Sequence, residues 1–361
     1  MNDKMKELYN SIELELDKVK YNALWPGFSR MEFAIYNKEK VFLKNEEIPY
    51  DERFLGNTSI DYNGRNLPIW YIEDPNQEES RELASNIVHE MFHSYQISNN
   101  EARFPNDLKG LDYPMELENY EIKYKENTLL VEAINSNDRD KQYNILKEII
   151  ALRMLRLQKY GDIIRYEFGI ETIEGSAEYC GAKALKDISG ELYEKRIDNY
   201  KKILSEDISM LFDIRRNCYY TGTLFLLLLE ELEMPFTHGI TGSKETIFEE
   251  ILDKLEYGEA NADDIKDSKV EKYFIEHMKE RESKFEDFFN EPYVKYEGDF
   301  YICGYDPMNM IKRKDEILCN HLIMLKDKVS QKQLFIKGPV IVKLKNGTTN
   351  LVLEYYSKTD I

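Results

Sequence analysis

Leu83-Ala84-Ser85-Asn86-Ile87-Val88-His89-Glu90-Met91-Phe92-His93-Ser94-Tyr95-Gln96-Ile97 (residues 83–97) reads as one amphipathic helix. Ala84, Ile87, Val88, Met91 and Tyr95 recur at three- and four-residue spacing, the period of a helix with one buried face. His89 and His93 stand at i and i+4, so they project from one side with Cβ atoms roughly 5–6 Å apart. Two imidazoles so placed can converge on one zinc ion, at about 2.0–2.1 Å each. Glu90, beside them, is placed to accept a proton from an attacking water. Asp74-Pro75 predicts the start of this helix, since Asp caps and Pro is tolerated in a first turn. The periodic pattern runs from Glu78 to about Ile97, and Ser98-Asn99-Asn100 ends it.

Upstream of that helix the chain reads as strands. Phe33, Ile35 and Val41, Leu43 flank the turn-forming Asn37-Lys38-Glu39, and residues 59–62 and 67–72 flank Asn63-Gly64. Asn-Gly favours the positive φ of a two-residue hairpin turn. Pro68 cannot donate to a ladder, so residues 67–72 are expected to form an edge strand. Downstream, helical periodicity predicts helices over 114–134, 139–160, 163–187, 191–205, 216–233, 245–257 and 268–289. Strand-like alternation returns at Val340, Val342 and Leu344, with Asn346-Gly347 as a turn and Leu351-Val352-Leu353 answering it. The expected fold is α+β. Residues 1–100 hold an N-terminal sheet and the His89–His93 helix, 101–292 a helical domain, and 293–361 a small β-rich region.

Charge and composition narrow the function. The 361-residue chain carries 49 basic and 68 acidic residues, a formal charge of −19. Nucleic acid is not an expected partner, because phosphate binding needs clustered Lys and Arg. The longest apolar run, Leu224 to Leu229, is far short of the ~20 residues a membrane span needs. The N-terminus has no apolar signal core, so neither a membrane nor an exported location is expected. Cys180, Cys218, Cys303 and Cys319 lie far apart with no C-x-x-C pair, which suits reduced thiols in the cytoplasm. Cys180 lacks a local base pattern and reads as a small buried residue rather than a nucleophile.

A zinc site needs a third protein ligand. His238, His277 and His321 sit in segments without a partner pattern, so a carboxylate is the better candidate. Glu171-Thr172-Ile173-Glu174-Gly175-Ser176-Ala177-Glu178-Tyr179 supplies three, at i, i+3 and i+7 of one helical face. Gly175-Ser176-Ala177 removes bulk there, letting another helix approach, although Gly within a helix costs about 1 kcal/mol against Ala.

His89-Glu90-Met91-Phe92-His93 followed far downstream by Glu174-Gly175-Ser176-Ala177-Glu178-Tyr179 resembles the gluzincin branch of the zincin metallopeptidases. The resemblance implies that His89, His93 and Glu174 hold Zn²⁺, with Glu171 as the rival third ligand. It implies Glu90 as general base and Glu178 as the carboxylate that orients a ligand histidine. It also implies a tyrosine donor to the oxyanion, with Tyr220 or its neighbour Tyr219 as candidates ahead of Gly222. The strand before the motif helix, through Ile69, Trp70 and Tyr71, is expected to hold the substrate by strand addition. The activity so implied is zinc-dependent hydrolysis of a peptide or protein substrate. A silent zinc-stabilised interaction protein, and a zinc-dependent hydrolase of a small amide or ester, are the other functions such a site would serve.

Overall fold

A computed structural model describes residues 2–236, 240, 242–262 and 265–358; His238 lies outside the described residues. The chain opens with α1 (Asn2–Leu16) and the single turn α2 (Tyr21–Leu24). The strands β1 (Ala34–Tyr36), β2 (Lys40–Phe42), β3 (Glu47–Pro49), β4 (Thr58–Tyr62) and β5 (Arg65–Tyr71) form one sheet in the order β3-β2-β1-β5-β4. Both predicted hairpins are present. Asn63 and Gly64 adopt positive φ at the β4–β5 turn, as a two-residue connection demands.

The edge-strand expectation for residues 67–72 is overturned. β5 lies inside the sheet, antiparallel to β4 and parallel to β1. Pro68 is accommodated because the ladder to β1 starts only at the next residue, where Ala34 pairs with Ile69. The strand that ends the sheet on this side is β4. Ile69 therefore offers no free backbone edge, while Trp70 and Tyr71 pair with β1 and, past the end of β4, Tyr71 N donates to Asn57 Oδ1. Ile69 is buried on the face that packs with Phe54 and Tyr62, Tyr71 meets the Tyr36 ring edge-on, and Trp70 packs toward the main core.

The helical body follows. It comprises α3 (Ser80–Ser98), the turn α4 (Asp107–Gly110), α5 (Leu117–Ile134), α6 (Arg139–Tyr160) and α7 (Arg165–Ile170). A π-helical turn over Glu171–Gly175 leads directly into α8 (Ser176–Ile188). Then come α9 (Gly190–Glu206), α10 (Ile214–Glu231), α11 (Ile247–Leu252) and α12 (Ser268–Asn290). Helix α3 starts at Ser80 rather than near Asp74. Glu79 caps it by accepting from Glu82 N, while Asp74 closes a separate turn through Asn76 N. One continuous apolar core joins α1, the inner face of the N-terminal sheet, α3 and the helices from α5 to α11.

The last segment is a seven-stranded sheet, larger than a small appendage. Its strands are β6 (Val294–Tyr305), β7 (Met310–Arg313), β8 (Glu316–Cys319), β9 (Leu322–Asp327), β10 (Gln333–Lys337), β11 (Val340–Leu344) and β12 (Leu351–Ser357). They are ordered β10-β9-β6-β12-β11-β8-β7 and antiparallel throughout. One face carries its own core of Ile302, Ile317, Ile323, Leu325, Val340 and Val342, into which Leu108 of the body inserts. Phe285 and Phe288 of α12 cover Leu318 and Ile341 on the other face. Among the described residues, no helix is long and apolar enough to cross a membrane.

Candidate metal centre

Helices α3 and α8 pack along one another, and close approach at Gly181 allows it. A Cβ there would lie 3.0 Å from Ser85 O and 3.4 Å from His89 Cβ. A second close crossing sets α10 against the π-helical turn. A Cβ on Gly175 would sit 2.7 Å from Gly222 Cα, and one on Gly222 2.8 Å from Gly175 Cα. These contacts bring His89 and His93 from α3, Glu174 from the π turn and Tyr219 from α10 to one point.

Glu174 Oε2 lies 3.0 Å from His93 Nε2 and 3.8 Å from His89 Nε2, and the two Nε2 atoms are 3.1 Å apart. Hydrogen bonds on the far side of each ring orient these atoms. His89 Nδ1 donates to Glu178 Oε2 at 2.9 Å, and His93 Nδ1 donates to Gln96 Oε1 at 2.8 Å. The Gln96 amide is itself held, because its Nε2 donates to Ile173 O and Ser176 Oγ. With Nδ1 the proton carrier, both Nε2 atoms turn lone pairs toward the Glu174 carboxylate. Glu174 Oε2 is fully buried and accepts no hydrogen bond. Three electron-pair donors within 4.8 Å of one another, one of them orphaned, fit a divalent cation. The donor set is not specific to zinc.

The electrostatics agree with that fit. Burial pushes His89 down, but the Glu174 and Glu178 carboxylates beside it outweigh burial and raise it to about 10. Without a metal, the trio therefore takes up a proton in the cation's place. Burial pushes Glu174 up; His93, His89 and Arg215 reverse that and hold it well below the ordinary carboxylate range. Arg215 Nη2 donates to Glu174 Oε1 at 2.5 Å and Nη1 to Asp107 Oδ1 at 2.6 Å, so Oε1 is occupied and Oε2 is the atom left for a metal. Arg215 belongs to no motif that sequence reasoning finds; its one signal is a position four residues before Tyr219 on α10.

Glu171 does not join the trio. Arg153 grips its carboxylate with two bonds of 2.8 Å, and Thr221 Oγ1 donates to it at 2.6 Å. The π-helical turn explains the separation from Glu174. Its i→i+5 bonds take about one more residue per turn than an α-helix, so Glu171 rotates off the face it would share with Glu174 and Glu178. Glu178 lies against His89, and Tyr200 donates to its other oxygen.

The two tyrosine candidates lie in different surroundings. The Tyr220 ring lies 4.8 Å from that of Tyr200, on the Glu178 side. Tyr219 is the tyrosine at the centre, stacked over His89 at 5.8 Å and beside Glu174. Adjacent helical residues point about 100° apart, so only one of the pair can face the histidines. Burial, and then the charge of Glu174, push the Tyr219 hydroxyl well above 10, which keeps it a neutral donor. Glu90 is buried, yet no donor among the described residues reaches its carboxylate. His277 packs on Phe212 and His321 donates to Asp306, both in elements that contribute nothing to the trio. Cys180 is buried and burial raises its thiol, as expected of an inert residue.

No family model, curated protein or solved structure matches the chain.

Proposed function

We propose that this protein is a zinc-dependent peptidase of the gluzincin type, working in the cytoplasm on peptide or protein substrates. The observation that carries the reading is the orphaned Glu174 Oε2 facing two Nε2 lone pairs, with Glu90 adjacent and without a protein partner among the described residues. Zinc held by His89, His93 and Glu174 would supply Lewis acidity to the scissile carbonyl and its attacking water. Glu90 takes the proton from that water at its carboxylate and returns it to the leaving amine. Tyr219, kept neutral by its surroundings, donates to the oxygen on which negative charge develops. Glu178 holds His89 in the tautomer that ligation needs. An extended substrate would pair with the open edge of β4, which Ser59 ties to the motif helix through a 2.6 Å bond to Ser94. Four free cysteines, three of them buried, support a reducing compartment.

Elemental analysis of wild type, Glu174→Ala and Glu90→Gln, followed by incubation with a peptide library, tests the proposal. About one zinc per chain is expected in wild type and in Glu90→Gln, and little in Glu174→Ala. Hydrolysis is expected in wild type alone. Zinc-loaded wild type that cleaves nothing would refute the peptidase reading.

A further inference from the structure

A cleft of about 680 Å³ opens directly beside the metal trio. Glu178 and Tyr219, the two residues that touch His89 from either side, lie in its wall. The rest comes from four places: Glu82 and Asn86 of α3, one side of α9, the start of α10, and Met308 of the C-terminal sheet region.

The charge of this cleft runs against that of the molecule. In a chain of net charge −19, its lining holds four cations, Lys195, Arg196, Lys202 and Arg216, against three carboxylates, Glu82, Glu178 and Asp198. Lys195 and Lys202 stand at i and i+7 of α9, on one side of the helix. Neither makes an ion pair among the described residues, although acidic side chains are plentiful. The carboxylates in the lining are mostly engaged. Glu178 is bonded to His89 and Tyr200, Asp198 pairs with Lys201 at 2.6 Å, and Glu82 is exposed at the rim. Arg196 donates to Ser85 Oγ at 2.6 Å and Asn86 Oδ1 at 3.2 Å and lies 3.8 Å from Glu178 Oε1, and Arg216 pairs with Asp213 at 3.5 Å, so Lys195 and Lys202 are the cations free to meet a ligand. A concave, partly apolar wall concentrates the field of such charges on whatever enters.

Tyr219, Tyr220 and Met308 supply the apolar surface. The turn that presents Met308 is well braced: Asp306 Oδ1 accepts from Met308 N at 3.0 Å, and Asp306 Oδ2 accepts from Asn309 Nδ2 at 2.8 Å and His321 Nδ1 at 2.7 Å. Methylenes against rings and a thioether, with Lys195 and Lys202 in the same wall, suit an aspartate or glutamate side chain.

We propose that this cleft is a side-chain subsite that selects an acidic residue of the substrate next to the cleaved bond, with Met308 as the contribution of the C-terminal region. The assignment rests on the peptidase reading. Its test is a library of random-sequence peptides incubated with the zinc-loaded protein, with cleavage sites read by mass spectrometry. Matched peptides carrying Glu, Ala or Lys at the selected position are then assayed for kcat and KM. Their binding to zinc-loaded Glu90→Gln is measured by fluorescence anisotropy. The Glu peptide is expected to exceed the Lys peptide by on the order of tenfold in kcat/KM and in affinity. Lys195→Glu with Lys202→Glu is expected to invert the order, which a merely structural role for these lysines would not do. Cleavage without acidic preference, or a preference that survives the double reversal, overturns the subsite and leaves the peptidase reading standing. If no peptide is bound or cleaved by zinc-loaded protein, the peptidase reading falls and the subsite with it.

Discussion

Tyr219 and Tyr220 are adjacent, both tyrosine and both partly buried, yet their surroundings differ in a way that kinetics can read. Tyr219 faces His89 and Glu174, whereas Tyr220 packs on Tyr200 behind Glu178. Tyr219→Phe is expected to lower kcat about 10²-fold with zinc content unchanged, the usual cost of one oxyanion donor. Tyr220→Phe is expected to stay within about threefold of wild type on a substrate lacking acidic residues, since its hydroxyl points away from the developing charge. Equal losses in the two variants would remove the donor role from Tyr219. At this scale, residue types and their spacing suffice to single out His89, Glu90, His93 and the carboxylates of Glu171, Glu174 and Glu178 as candidates, and only the family resemblance prefers Glu174 and Glu178 among them. They cannot separate two neighbouring tyrosines, because that depends on the rotation of α10 about its own axis.

Among the elements, the π-helical turn matters most. Glu171 begins it, Glu174 lies within it, and its position is set by an unusual buried charge cluster. Lys123, Arg153 and Arg156 meet Glu126, Glu167 and Glu171, all of them buried. Glu167 accepts from Lys123 Nζ at 2.6 Å, from Tyr113 at 2.5 Å and from Arg156. Three cations balance three anions, so the cluster is neutral as a whole but intolerant of losing one member. Arg153→Met is expected to destabilise the fold by about 3–5 kcal/mol in denaturant titration, because buried Glu171 loses its two-bond partner and the cluster is left one cation short. Adding Glu171→Leu should recover much of that loss. A single variant as stable as wild type would show that the pair contributes nothing. Helix positions are legible from periodicity to within a few residues. The π turn is not, since a helix with one extra residue in a turn has the same composition as one without it.

For the whole molecule, metal and protons compete for one site. His89 rises to about 10 in the metal-free fold, above the ordinary value near 6.5. Its contribution to metal-free stability is therefore complete below about pH 6.5 and is lost as pH climbs toward 10. Glu178 moves the other way. Burial raises it, but His89 and Arg196 lower it to about 2, so its contribution is present above the ordinary carboxylate value and is lost as pH falls toward 2. Metal must displace the His89 proton, so zinc affinity is expected to climb by up to about tenfold per pH unit between roughly pH 6 and 9, measured by competition with a chromophoric chelator. An affinity flat across that range would mean that His89 is neutral without metal. The sequence alone determined the helical body, both N-terminal hairpins and the candidate histidine pair, because those follow from local periodicity, turn chemistry and i, i+4 spacing. Tertiary structure decided the rest: that β5 is enclosed and β4 is the edge, that Tyr219 faces the histidines, and that Met308 reaches the cleft from the C-terminal region. Each depends on a pairing between segments distant in sequence. β1 reaches β5 only after the sheet closes, Gly222 meets Gly175 only when α10 docks, and Met308 arrives only when the last sheet packs on the body. Such contacts are chosen by the burial of whole faces, which no local pattern records.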